Sequence, residues 1–221
     1  MGVEAGAWVR TGWTAGLAVL LAVGTFVALP SVTGCAGVIA AGFAAYSIHS
    51  ALRALSLRSM SRWATAMGCA PVDPATIDWP WQNLTLQGSS QVRSAWTGDI
   101  EGLPVTFGEV QWSGGAFSGA VIDRDGKGIF VVVGLPQAQP PMAIRFPHKF
   151  IGDSPRLEQP AVRHAFRIME IPPFTVRDTE LFTVEPRDQA LDPGSTYRAV
   201  RRALHVVRLL DIGPDRPLPA A

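Results

Sequence analysis

The side chains that most often carry out chemistry are sparse here and poorly grouped. The chain contains no HExxH, GxSxG, CxxC, Walker A or Rossmann glycine pattern. Asp123-x-Asp125-Gly126 has the opening of a calcium loop, but the twelfth position is Gly134, where a bidentate Glu would be required. That cluster reads as a solvated turn. His148 and His164 have no partners at metal-ligand spacing, and Cys69 sits alone near a helix end. No catalytic residue, cofactor or metal ligand is assigned, and a non-enzymatic role is expected, with a membrane-bound enzyme of dispersed site as a further alternative. The densest functional feature is basic. Arg198, Arg201, Arg202, His205 and Arg208 recur at helical spacing and form a face suited to an acidic partner or anionic lipid. No aromatic stacking platform accompanies them, and a net charge of +1 gives no case for nucleic acid.

The elements that must position this face begin with an unusual N-terminal region. Only 17% of the 221 residues are charged, against about 25% in a typical domain. The deficit is concentrated: Thr11 to Leu52 is a run of 42 residues without Asp, Glu, Lys or Arg. A bilayer crossing takes about 20 apolar residues, so the run is close to two crossings. Pro30 breaks it. The expectation is a transmembrane helical hairpin over residues 1–52, with helices from about Gly12 to Leu29 and from about Val32 to Leu52.

Small residues at four-residue spacing, Gly12-x-x-x-Gly16 and Ala36/Ala40/Ala44, would let these helices pack on each other, on a second copy or on another membrane protein. Trp13 falls at the expected interface. Arg53, Arg58 and Arg62 follow the hairpin and are expected to meet the lipid headgroups, which places both termini in the cytoplasm at the cell membrane. A second reading stands beside this one. Val32-Thr33-Gly34-Cys35 has the form of a lipobox, and lipidation of Cys35 would make the chain an exported lipoprotein with a ligand- or envelope-binding domain.

Residues 53–69 form a juxtamembrane amphipathic helix in this reading. Leu52, Met60, Trp63 and Met67 share one stripe, Arg58 and Arg62 lie opposite, and Gly68 is the stop. Residues 70–221 are long enough to bury one substantial core. Trp79 and Trp81, in a proline-interrupted loop, are expected to fold back onto the domain. Ser94–Ile100 and Leu103–Trp112 flank Glu101-Gly102 as a hairpin. Ile129–Leu135, Met142–Phe146, Ala165–Met169 and Leu181–Val184 read as further strands. A last helix starts at a Ser195 N-cap, carries Tyr197, Val200, Leu204 and Val207 on its apolar face, and stops at Gly213-Pro214. The fold class is α+β: the transmembrane hairpin, then an antiparallel β-sheet domain with a C-terminal helix.

Several short motifs carry a resemblance. Arg62-Trp63-Ala64, Gly68, Pro71 and Asp73 form one group, and Thr97-Gly98, Gly102-Leu103-Pro104-Val105 and Phe107 form another. With Val131-Val132-Val133-Gly134-Leu135-Pro136 and Phe166-Arg167-Ile168, the chain resembles actinobacterial membrane-anchored proteins of unknown function over residues 12–212. The resemblance implies a helical hairpin carrying a cytoplasmic β-rich domain and supplies no catalytic residues. The function expected is that of a membrane-anchored accessory or scaffold protein presenting an α+β interaction domain, with the lipid bilayer as one partner.

Overall fold

A computed structural model describes residues 32–82 and 87–214. The chain divides into two units, Met1–Leu55 and Ser56–Ala221. Helix α1 (Val32–Ala66) supplies the described part of the first unit and the opening of the second. Among the described residues no helix is long and apolar enough to cross a membrane. This overturns the transmembrane hairpin as an element of the fold. The first expected crossing, with Trp13, lies outside the described residues. The second forms as helix, and polar residues interrupt its apolar run before the arginines begin. A segment without charge is not thereby strongly apolar. Residues 32–52 are rich in Gly and Ala, which offer little surface to transfer into lipid, and include Thr33, Ser47, His49 and Ser50. Arg53, Arg58 and Arg62 then follow within the same helix.

In the second unit α1 behaves as the sequence pattern predicts. Met60 and Ala64 are fully buried, Trp63 packs partly against the core, and Arg58 and Arg62 face solvent. Met67 departs from the stripe and is exposed. Gly68, at φ 77°, takes the left-handed position that ends the helix. The Cys69 N–H then donates to the Ala64 carbonyl at 2.8 Å and the Gly68 N–H to that of Thr65 at 3.0 Å, closing the last turn.

Six strands follow: β1 (Ala70–Val72), β2 (Ser89–Ile100), β3 (Leu103–Ser113), β4 (Gly126–Arg145), β5 (Lys149–Ile151) and β6 (Phe174–Pro186). All pairings are antiparallel. The β2–β3 hairpin turns through Glu101 and Gly102, with Ile100 opposite Leu103. Both turn residues have positive φ, 57° and 78°, the conformation that matches the twist of the flanking strands. The strands expected at Ile129–Leu135 and Met142–Phe146 are two halves of one strand, β4. Its first half lies between β3 and β6, and its end pairs β5 on one side and β6 on the other.

Two expectations are corrected here. Ala165–Met169 is not a strand. Helix α2 (Pro160–Arg167) takes most of it, with Pro160 in the first turn and Val162, Ala165 and Phe166 buried at helical spacing. Helix α3 (Pro193–Leu209) is capped by Asp192, not Ser195. The Asp192 carboxylate accepts from the Ser195 N–H at 2.9 Å and its hydroxyl at 2.7 Å, and Pro193 opens the helix.

Strand alternation gives the sheet two buried faces. On β4, Ile129, Val131 and Val133 point to one face and Phe130 and Val132 to the other. The first face is covered by α2, α3 and the end of α1, through Met60, Phe166, Ala203, Leu204 and Val207 among others. The second is covered by irregular chain: Trp79 and Trp81 from the loop after β1, and Ala116, Phe117, Ala120 and Val121 from the β3–β4 connection.

Candidate functional site

The side-chain chemistry converges where the hairpin turn, the middle of β4 and the end of α3 meet. A cleft of about 610 Å³ opens there. Its polar lining is Glu101, Gln137, Gln139, Arg156, Arg208 and Asp211, and Leu103, Leu204, Val207 and Ile212 supply its apolar part. Glu101 is brought by the β2–β3 turn, the glutamines by β4, Arg156 by a single turn of 3-10 helix at Pro155–Glu158, and Arg208 by the last turn of α3.

These groups are partly tied to one another. The Arg208 guanidinium lies 3.4 Å from the Glu101 carboxylate. Arg156 donates to Gln139 Oε1 at 2.5 Å, and Gln139 Nε2 donates to the Gln137 carbonyl at 3.3 Å. Both acids occupy left-handed backbone, Glu101 at φ 57° and Asp211 at φ 52°. Asp211 follows the C-cap Leu210, where glycine is the usual choice. A side chain in this conformation costs about 1–2 kcal/mol. Sequence optimised only for stability would place Gly or Asn at both sites. Residues held in such conformations are concentrated where structure serves a site.

The edge of β4 that faces the cleft is interrupted. β6 runs along one edge, pairing with residues 128–134, then Gln139, then residues 142–144, with the register shifting at both breaks. β3 and β5 therefore share the opposite edge, β3 along 126–133 and β5 along 143–145. Between them, among the described residues, 135–142 have no neighbouring strand on that side. Pro136, Gln137 and Gln139 of this gap line the cleft.

The basic face expected of α3 is dispersed. Arg202 turns to the domain: it bonds Glu185 Oε2 at 2.5 Å, the Glu170 carbonyl at 3.2 Å and the Met169 carbonyl at 3.0 Å. It is a clamp between α3, β6 and the end of α2. Burial pushes the Glu185 carboxyl above the ordinary glutamate range, against the opposing pull of Arg202 and Arg198. Its Oε1 is buried without a hydrogen-bond partner. Arg208 faces the cleft. Arg198 and Arg201 are exposed; Arg198 donates to Ser195 Oγ, and Arg201 stacks over Tyr197 with its carbon 5.9 Å from the ring centre. Arg201 also borders a second, smaller hollow of about 300 Å³ with Trp63, Met67 and Tyr197.

The remaining sequence candidates are placed as follows. Arg58 and Arg62 are exposed on α1, and Arg53 lies within the same helix. Trp13 lies outside the described residues. Cys35 falls in the first turns of α1. Asp125 accepts from the Gly114 N–H at 2.7 Å and closes its turn. His148 meets Phe166 edge to face at 5.5 Å, and His164 is exposed on α2. Cys69 is buried, which pushes its thiol pKa up and makes it a poorer nucleophile. Among the described residues no three of His, Cys, Asp and Glu are grouped to hold a metal ion. Sequence reasoning missed Glu101, Gln137, Gln139, Arg156 and Asp211. Only Glu101 carried a signal, an acid in a two-residue hairpin turn where Asn, Asp or Gly is favoured.

Comparison with protein-family models, with curated proteins and with solved structures yields no match.

Proposed function

We propose that residues 56–214 act as a binding module of an accessory or scaffold protein, with the cleft between the hairpin turn, β4 and α3 as its ligand seat. The observation that carries this reading is the cleft's lining: amides, carboxylates and guanidinium groups around an apolar patch, with no hydroxyl, thiol, imidazole or amine nucleophile among the lining side chains. Such a surface offers the mix of polar and apolar contacts by which a ligand is recognised. Its volume falls within the range of about 300–1,000 Å³ in which small ligands and ligand segments are held. The left-handed Glu101 and Asp211 support the reading, because they retain acids at backbone positions that stability alone would give to glycine.

The test is site-specific photo-crosslinking in the cells that make the protein. A benzoylphenylalanine at Gln137, inside the cleft, is expected to yield a discrete adduct. The same group at Arg93, an exposed position on β2, is the control. Equal labelling at both positions, or none at Gln137, removes the cleft as a ligand seat.

A further inference from the structure

We infer that the cleft's ligand is a short extended peptide segment, laid along the unpaired edge of β4 between the start of β3 and the end of β5. This rests on the binding-module reading and names the class of ligand that the same site takes.

The first observation is the edge itself. Residues 135–142 of β4 lie in a slot bounded by the start of β3 at one end and the end of β5 at the other, with no strand between among the described residues. An edge of this kind presents main-chain donors and acceptors, which an added strand satisfies. Pro136, Pro140 and Pro141 have no N–H to offer, so pairing is confined to the stretch Gln137–Gln139. Three such residues extend over roughly 10 Å at about 3.3 Å each, the length of a short peptide and too little for a whole foreign sheet edge. Open edges invite indiscriminate pairing, and the prolines limit that pairing.

The side chains around the slot favour the same class. Gln137 presents an amide with donor and acceptor, the complement of a peptide group, while the Gln139 amide is engaged by Arg156 and the Gln137 carbonyl and holds the segment in place. Leu204, Val207 and Ile212 give an apolar side chain somewhere to rest. Two carboxylates and two guanidinium groups balance, so the site suits a segment of little net charge with polar or oppositely charged flanks. A nucleotide or polyanion would call for net positive charge. Bases and sugars are commonly held on aromatic faces, and none of the described residues lining the cleft is aromatic.

The experiment is panning of a phage-displayed random heptapeptide library against the full 221-residue chain. Three proteins are compared: wild type, a Gln137→Ala/Gln139→Ala double variant, and Arg93→Ala as a control away from the cleft. Circular dichroism verifies that all three are folded. The expected result is a shared sequence pattern enriched on wild type and on Arg93→Ala. Synthetic peptides of that pattern should bind the double variant at least 10-fold more weakly in a calorimetric titration. Equal enrichment on wild type and the double variant, or none on either, overturns the peptide assignment. The two readings separate through crosslinking at Gln137. An adduct whose mass fits a non-peptidic molecule leaves the binding module standing and ends the peptide reading. Neither adduct nor enrichment ends both.

Discussion

The two faces of the central sheet are built on different physical terms. One is covered by helices, which satisfy their own backbone hydrogen bonds and need only offer aliphatic surface. Its contacts are mainly Val, Leu, Ile and Ala around Phe166 and Phe174. The other is covered by irregular chain, whose backbone groups are not paired by a regular ladder. There the packing is aromatic: Trp81 meets Phe117, Phe130 and Phe182 edge on, and Trp79 stacks on it at 5.4 Å. The indoles also act as pins. Trp79 donates to the Pro74 carbonyl, Trp81 to Ser90 Oγ and Trp112 to the Asp123 carbonyl, at 3.1–3.2 Å. On the helical face, Trp96 has no such bond and its Nε1 is buried unpartnered. The contrast teaches that a loop can serve as a layer when large rings supply the buried area and their N–H groups fix the loop's path.

The comparison can be broken at several points. The largest effect is expected from Trp81→Ala, about 3–5 kcal/mol by urea denaturation. Hydrogen exchange should show that loss concentrated in residues 73–82 and 114–122. Exchange spread evenly over α2 and α3 would show that the two faces do not act separately. Leu204→Ala, on the helical face, is expected to cost about 2–4 kcal/mol and to loosen α3 first. Arg202→Ala comes next, at roughly 2 kcal/mol. Full burial would make the broken pair worth more, but its partners are partly exposed and solvent screens them.

A pH titration of stability sharpens the polar side of the helical face. The folded-state pKa of Glu185 is raised by burial, so this group's contribution is fully present below the ordinary glutamate range and is lost as pH climbs through the raised pKa. Relative to wild type, Glu185→Gln should therefore gain stability as pH rises from 4 to 7. A constant difference across that range would remove Glu185 as the source. The smallest effect is expected from Asp211→Gly, a gain of about 1 kcal/mol as the left-handed strain is relieved.

Legibility in the sequence followed the range of the interactions. The β2–β3 hairpin and the stop at Gly68 are local, and their residues announced them. The inward turn of Trp79 and Trp81 was readable from their size and the prolines around them. Helix α2 was missed because its signal begins at Pro160, while the apolar stretch after it looked like a short strand. Asp192-Pro193 outcompeted Ser195 as a cap because the carboxylate accepts two bonds there. The membrane span failed on a confusion of charge with polarity, since Ala and Gly are uncharged without being strongly apolar. The cleft was not legible because its parts meet through register. Glu101 and Arg208 are 107 positions apart, and the gap on β4 exists only because β5 pairs at Ala143–Arg145. Arg202 was read as a surface charge because nothing near it in sequence reveals Glu185.

One contact has a kinetic meaning. Gly98 lies so close to Cys69 that a Cβ there would stand 2.6 Å from the sulfur, and the thiol is shut beneath the junction of β1 and β2. A reagent reaches it only when that junction comes apart. The rate at which Cys69 is alkylated, set against the rate for an unfolded chain, is therefore a clock for how often β1 lifts from the sheet. The chain carries its own timer for the opening of its first strand.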